Sequence, residues 1–548
     1  MLALSRASSS FSRAGRVSAR SGRSSIQRQR VLLHPHQQQS RRAMASASAS
    51  AGGPSSSSSS PALLHPSLLA LLDDLDKLSP RFYLSPGEID ILTTPADFYA
   101  TLKSKILSAR SHVFLATLYI GRTEHDLIDT LRTALQKNPD LQVHLLTDAL
   151  RGTREAPHAS CASLMASLAA DFPDRVHVRL FHTPKLRGLA KAVTPVRLNE
   201  GWGLQHMKLY GFDDEIILSG ANLSEDYFTN RQDRYYLFHS AEVTAYYRRI
   251  FEAVSALSYK LDSDASSPSQ FKLSWSTDPS LTSAPEPTKH PNTFCKAATA
   301  LIAPLLRPPA SSTSSASSSS CITNKQVKTV FYPISQMTPL LRPNHSTEAP
   351  AVERMLDVLS GPDQFSWMFT AGYFNIHPTY RSKFLDSDPE KGIIITAAPE
   401  ANGFYQSAGV SKYLPPAYTQ LAHEFVKDVA ARKKSEKIKL LEWQNGVLNQ
   451  PGGWTYHAKG IWLTPPAETT PCVTVIGSSN FTRRSHTMDL ESNGLIVTVD
   501  EDLRQKMKDE TENLQKFTKV MEEKDFQAEN RKVGLGVKLS LAVLGLAL

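Results

Sequence analysis

The amino-acid sequence predicts a duplicated α/β fold: two sandwich lobes, each with helices on both faces of a mixed sheet. Three observations carry this. The chain has 548 residues, more than one ordinary core accommodates. Apolar runs of strand length alternate with segments of helical period. Finally, one set of polar residues recurs in the same order in both halves: HMKLYGFDDEIILSGAN runs from His206 to Asn222, and HAKGIWLTPPAETTPCVTVIGSSN from His457 to Asn480.

Each of these segments opens with His-x-Lys and closes on a tight turn ending in asparagine. The apolar runs between them, Glu215–Leu218 and Val473–Ile476, read as short buried strands. In an extended chain residues two apart share a side, so His206 lies with Lys208 and His457 with Lys459. An ammonium beside a titratable imidazole points to a phosphate site. Eleven residues after Asn222 stands Asp233, and eleven after Asn480 stands Glu491. Both halves therefore offer His, Lys, Asn and an acid in one order, which a merely structural cluster does not require twice.

In chain order, Ser67–Leu78 and Pro95–Ser108 have the apolar spacing of amphipathic helices. His112–Gly121 reads as a strand, Asp126–Gln136 as a helix, and Leu141–Asp148 and Val176–Phe181 as further strands. The second half repeats the order. A helix over Val352–Leu359 precedes strands at Phe365–Asn375 and Gly392–Ala397, then a helix over Pro416–Lys433 and a strand over Ile438–Trp443. Tyr119 precedes His206 by 87 residues and Tyr373 precedes His457 by 84, so internal duplication is the economical explanation. Five regions are expected: a leader (1–60), a first lobe (61–262), a Ser/Pro-rich insertion (263–325) whose stretches Ser263–Pro291 and Pro308–Cys321 read as flexible surface that buries no apolar area, a second lobe (326–500) and a tail (501–548). The charged run Glu501–Arg531 reads as a solvated helix. The apolar end is shorter than the roughly 20 residues a spanning helix needs, and reads as an interfacial anchor.

The formal charge of +9 does not mark a nucleic-acid surface. Residues 1–72 carry nine arginines and no Lys, Asp or Glu, leaving 52 basic residues against 52 acidic ones elsewhere. That Arg/Ser-rich, acid-free leader fits a mitochondrial transit peptide. The four cysteines are far apart without a C-x-x-C pair, against a zinc site of the usual spacing.

At the paired His-x-Lys and Ser/Gly-x-x-Asn segments the chain resembles the phospholipase D superfamily. GLQHMKLYGFDDEIILSGANLSEDYFTNRQDRY, FHTPKLRGL, TAAPEANGF and WTYHAKGIWL are similar to its mitochondrial phosphatidyltransferase branch. The resemblance covers about Ile91 to Val499. It implies duplicated lobes with the active site at their pseudo-twofold interface. It also implies exchange of the CMP of CDP-diacylglycerol for glycerol 3-phosphate on an inner mitochondrial membrane surface, within cardiolipin and phosphatidylglycerol synthesis. The catalytic set it implies is His206, Lys208 and Asp213, with His457 and Lys459. In the second motif Thr464 stands where an aspartate is expected.

By that resemblance His206 attacks the phosphatidyl phosphorus to form a phosphohistidine, with His457 in line on the far side. Lys208, Lys459, Asn222 and Asn480 are expected to bind the non-bridging oxygens. Asp233 and Glu491 are each expected to hold the histidine of their own half in one tautomer. CMP leaves as a phosphate monoester with a second pKa of about 6, so it needs little protonation. His457 then acts mainly as base toward the acceptor hydroxyl, and neither a cofactor nor a metal is expected. Extra cations for the anionic substrates are sought in Arg483 or Arg484, with Lys185 and Arg187 as further candidates; Arg231 and Arg234 could equally pair with Asp233. A hydrolytic phosphodiesterase is the competing enzyme, and a non-catalytic membrane adaptor would predict an eroded His or Lys.

Overall fold

The computed structural model describes residues 64–276, 284–309, 316–534 and 537. The Arg/Ser-rich leader and the apolar end 539–548 lie outside the described residues. Two nine-stranded sheets dominate. The first runs, edge to edge, Phe271–Ser274, Tyr259–Ser263, Val176–Phe181, Gln142–Asp148, His112–Ala116, Leu209–Phe212, Glu215–Ser219, Tyr235–Phe238 and Ile89–Leu92. The second runs Phe82–Leu84, Thr329–Gln336, Glu491–Thr498, Val473–Gly477, Lys459–Thr464, Ser366–Ala371, Gly392–Ala397, Ile438–Trp443 and Thr518–Met521.

The two sheets share one plan. In each, three adjacent strands are parallel: those beginning at His112, Gln142 and Val176, and those beginning at Ser366, Gly392 and Ile438. The motif strands then add antiparallel beside the first of the three. Parallel strands buried on both faces call for continuous apolar runs, as in His112-Val-Phe-Leu-Ala116 and Gly392-Ile-Ile-Ile-Thr-Ala397. The helices expected at Ser67 and Pro95 form over Pro66–Leu78 and Pro95–Ser108. Thr94 caps the latter by accepting from the Asp97 amide at 3.1 Å, and Pro95 supplies a preset first turn.

Three expectations are corrected. The first described helix and strand belong to the second sheet, not to a first lobe starting at 61. Phe82–Leu84 pairs with Thr329–Phe331, and Leu68, Leu71, Leu72 and Leu75 pack with Val330, Tyr332 and Leu356. Residues 263–325 do bury apolar area: Phe271 joins the first core, and helix Pro291–Leu306 buries Phe294, Ile302 and Leu306 between the lobes. The Ser/Pro-rich flanks concealed an apolar helical period inside that stretch. The charged run after Glu501 is α-helical only to Gln515, with a strand at Thr518–Met521 and two short 3-10 turns beyond it, and its buried stripe of Leu503, Met507, Glu510 and Leu514 faces protein.

The lobes meet over a shared apolar core. Phe238 lies 5.0 Å from Phe331, centroid to centroid, and Tyr247 donates to the Asn493 carbonyl at 2.8 Å. Arg234, 1 % exposed, also bridges the lobes: it donates to Glu510 at 2.8 and 3.0 Å and to the Val475 carbonyl at 2.6 Å.

Candidate active site

Both histidines sit where the lobes join, each held by backbone from the opposite half. The His206 amide donates to Leu490 O at 2.9 Å, and the His457 amide to Gln232 O at 2.8 Å. Leu490 and Gln232 are the residues just before Glu491 and Asp233, so each acid is delivered to the histidine of the other lobe. His206 Nδ1 lies 2.9 and 3.0 Å from the Glu491 oxygens, and His457 Nδ1 lies 2.6 Å from Asp233 Oδ2. The expected pairing within each half is therefore corrected to a crossed one. A parallel bridge between Thr455–Tyr456 and Arg231–Gln232 makes the crossing on one side, and an isolated bridge from Gln205 to Leu490 makes it on the other.

The lysines lie behind the histidines. Lys208 and Lys459 are 0 % and 1 % exposed, and each donates to the carbonyl of its own motif histidine at 2.6 Å. Lys459 also donates to Asp233 Oδ2 at 3.2 Å and to Gly220 O at 3.4 Å. With its three protons so placed, its 2.7 Å approach to His457 Nδ1 adds charge rather than a hydrogen bond.

One residue in the asparagine turn makes the halves unequal. A Cβ on Gly220 would come within 2.5 Å of both Lys459 Nζ and Asp233 Oδ1, so glycine leaves room for that ion pair. In the second turn Ser478 takes this place and donates to Glu491 at 2.5 Å. The electrostatics follow. Burial opposes the Asp233 charge, but Lys459 and His457 outweigh it and hold the carboxyl below its usual range. For Glu491 burial wins over Lys208 and Ser478, and its carboxyl rises to about 7. Burial also lowers the Lys208 ammonium to about 7. Both imidazoles are pushed down by burial and then by their lysines, His457 to about 3 and His206 well below the ordinary value. Both rings are neutral at working pH.

The histidines open into a cavity of about 420 Å³ at the lobe junction. Asn222, Asn480 and Arg484 line it. Arg484 is bound to Asp489 at 2.9 Å and to the Glu200 carbonyl at 2.7 Å. Arg483 and Arg187 are exposed away from the cavity. Lys185 is not among the lining residues either, and donates to Thr487 O at 2.6 Å. Asp213 is also remote: it sits in the turn after Phe212 and accepts from the amides of Arg110, Ser111 and His112 at 2.7 to 2.9 Å. There it anchors the hairpin that carries the motif; Thr464 stands at the corresponding place in the second half, opposite Ser366. Arg231 and Arg234 pair with Asp226 and Glu510, not with the Asp233 carboxylate through their guanidiniums.

Sequence reasoning missed several lining residues: Arg151, Arg154 and Arg231, and the site roles of Tyr119, Tyr227, Tyr373 and Tyr418. Arg151 stacks 4.0 Å over Tyr119, and Arg231 lies 4.5 Å over Tyr227. The Tyr227 hydroxyl is 3.1 Å from Asn222 Nδ2 and 3.3 Å from His457 Nε2. A signal existed, because Arg151, Tyr119 and Tyr373 follow the carboxyl ends of parallel strands, where α/β sheets place their ligands. Four arginines thus reach the cavity, each with an acidic partner, and two neutral imidazoles have Nδ1 anchored, with the Tyr227 hydroxyl against Nε2 of His457 alone. Such a site suits transfer of an anionic phosphorus group.

Duplicated lobes joined at two His-x-Lys segments define the phospholipase D class. The solved phosphatidylserine synthase of Haemophilus influenzae has the same fold, with a TM-score of 0.63 at 19% identity, covering 87% of this chain and 98% of that one. The family model for the cardiolipin synthase, PLD-like domain matches residues 102–255. The CDP-diacylglycerol–glycerol-3-phosphate 3-phosphatidyltransferase of Saccharomyces cerevisiae is 46% identical over 477 residues, 85% of this chain and 89% of its own length. That of Schizosaccharomyces pombe is 42% identical over 482 residues (82% and 93%), and the mitochondrial one of Homo sapiens 33% over 506 (87% and 86%). The chain belongs to this CDP-diacylglycerol–glycerol-3-phosphate 3-phosphatidyltransferase family.

Proposed function

We propose that the chain transfers the phosphatidyl group of CDP-diacylglycerol to glycerol 3-phosphate through a covalent phosphohistidine on His206, releasing CMP. The observation that carries this reading is the crossed pair of neutral histidines facing one arginine-lined cavity. His206 Nε2 attacks phosphorus, the P–O bond to CMP breaks, and CMP leaves with the electron pair. The Nδ1–H then bears the new positive charge of the ring toward Glu491. In the second step the acceptor hydroxyl loses its proton to His457, attacks phosphorus and expels His206. His457, held to about 3 by burial and Lys459, is unsuited to donate a proton in the first step, and a CMP leaving group does not need one. The Tyr227 hydroxyl occupies His457 Nε2, whereas no hydrogen bond engages His206 Nε2 among the described residues. That difference favours His206 as nucleophile. Asn222 and Asn480 bind the non-bridging oxygens. Lys208 and Lys459 act from behind the rings, by charge and by holding the histidine carbonyls.

Arg484, with Arg151, Arg154 and Arg231, receives the phosphates of donor and acceptor. The Arg/Ser-rich leader and the mitochondrial relatives support a mitochondrial site of action, and this reading seats the chain peripherally on the inner membrane. No helix among the described residues is long and apolar enough to cross a bilayer.

The test follows CMP release from detergent-dispersed CDP-diacylglycerol in EDTA, with and without glycerol 3-phosphate. The reading expects phosphatidylglycerophosphate formed in step with CMP when acceptor is present. Equal CMP without acceptor would indicate a hydrolase, and no CMP at all would sink the CDP-lipid substrate.

A pH profile tests the role of Glu491. As pH falls through about 7 the buried Glu491 carboxyl takes up a proton, and the His206 ring loses the anion that steadies its positive form. Turnover is expected to decline toward roughly tenfold per pH unit below neutrality. Glu491→Gln is expected to be slower at pH 8 but to lack that acid limb. An unchanged limb in the variant contradicts the assignment.

A further inference from the structure

The three most exposed large apolar side chains among the described residues fall within ten positions: Leu189 at 78%, Val193 at 66% and Leu198 at 49%. Helix Gly188–Val193 buries none of its residues. Leu189 and Val193, four apart, share a face. From Lys185 to Asn199 the sequence holds two lysines and two arginines and no acid, and Arg187 and Lys191 are exposed. A neutral body therefore carries one cationic, apolar projection, where water alone would select polar residues.

Its position is at the cavity. The turn Val196–Trp202 runs on to Glu200 and Leu204 in the cavity wall, and Arg154 grips Glu200 at 2.8 Å. The second lobe supplies a counterpart. Turn Gly409–Tyr413 exposes Tyr413 at 46% with Lys412 5.1 Å from its ring, and lies between the lining residues Phe404 and Leu414. It too lacks an acid.

The geometry points to these two segments as the surface that seats the cavity mouth on an anionic phospholipid bilayer. Leu189, Val193, Leu198 and Tyr413 enter the interface, and Arg187, Lys191 and Lys412 meet the headgroups. This rests on the transferase reading to the extent that a diacyl donor must present its headgroup to the cavity while its chains remain in hydrocarbon.

The test compares the full-length chain with its Leu189→Glu/Val193→Glu variant, both side chains being exposed enough to replace without disturbing the fold. Flotation with phosphatidylcholine vesicles, with and without phosphatidylglycerol, reads docking. CMP release from CDP-diacylglycerol in those vesicles, against CMP release from a short-chain, monomeric CDP-diacylglycerol, reads its consequence. The variant is expected to float at least about tenfold less on anionic vesicles and to lose vesicle turnover in proportion. Turnover on the monomeric substrate is expected to stay within about twofold. Flotation equal to that of the parent chain overturns the proposal, as it would if the apolar C-terminal end did all the docking. A change in oligomeric size with flotation intact overturns it in favour of a contact between copies. If the parent chain releases no CMP from either substrate, the transferase reading fails, and flotation alone then decides the docking surface.

Discussion

Replacing His206 by alanine is expected to lower turnover by roughly 10⁴-fold or more while leaving the fold intact. This imidazole makes the bond to phosphorus in the proposed route, and no neighbour can substitute. Its Nδ1 is taken by Glu491, the nearby Lys208 ammonium donates to a backbone carbonyl, and the other imidazole is engaged by Tyr227. The variant leaves Glu491 without its ring partner. A carboxyl already raised to about 7 by burial accommodates this by binding a proton, so melting temperature is expected to change little. His457→Ala is expected to be comparably slow overall, but for a different reason: the covalent intermediate forms and then waits for a base. A His206→Ala variant that keeps a tenth of parental turnover at an unaltered melting temperature would contradict the assignment.

The second large effect concerns stability. Glu510, 4% exposed, accepts from Arg234 at 2.8 and 3.0 Å, from the Tyr236 hydroxyl at 2.7 Å and from the Trp462 indole at 3.2 Å. Arg234 comes from the first lobe, Trp462 from the second and Glu510 from the C-terminal helix, so one carboxylate joins three elements. Glu510→Ala leaves a guanidinium buried with no counter-charge. Removing one partner of a buried pair costs about 3–5 kcal/mol, and denaturant unfolding is expected to show a loss of that size. The exposed pair Lys508–Glu512 on the same helix, 4.0 Å apart, gives the comparison. Glu512→Ala is expected to change stability by less than about 1 kcal/mol. Equal effects would mean that the helix is a surface appendage.

Much of the architecture could be read from local pattern. Strands such as Val176–Phe181, Gly392–Ala397 and Ile438–Trp443 form where their apolar runs place them, because buried parallel strands leave little freedom of register. The recurrence of His, Lys, Asn and acid identified the residues around the histidines for the same reason: two copies of one spacing constrain each other. The partner of each histidine could not be read. Asp233 and Glu491 are equivalent by spacing, and only the bridges between Thr455–Tyr456 and Arg231–Gln232 and between Gln205 and Leu490 send each acid across the seam. Helix Glu501–Gln515 was misread because its charge pattern resembles a solvated face, and the one buried glutamate looks like the exposed ones. Among the lining arginines Arg151 carried a signal only through its place just after the strand Gln142–Asp148, and nothing local separates Arg484 from Arg483. Tertiary placement decides which of them meets the cavity.

The central claim is that phosphatidyl transfer passes through a covalent bond to His206. It is tested most directly by mixing the full-length chain with CDP-diacylglycerol labelled in the phosphatidyl phosphorus, without acceptor, and quenching in neutral detergent. The label is then mapped to a peptide. Label is expected on the peptide containing His206, discharged by added glycerol 3-phosphate, absent from His206→Ala and retained by His457→Ala. Label on any other peptide, or unlabelled protein while product still forms once acceptor is added, would contradict it.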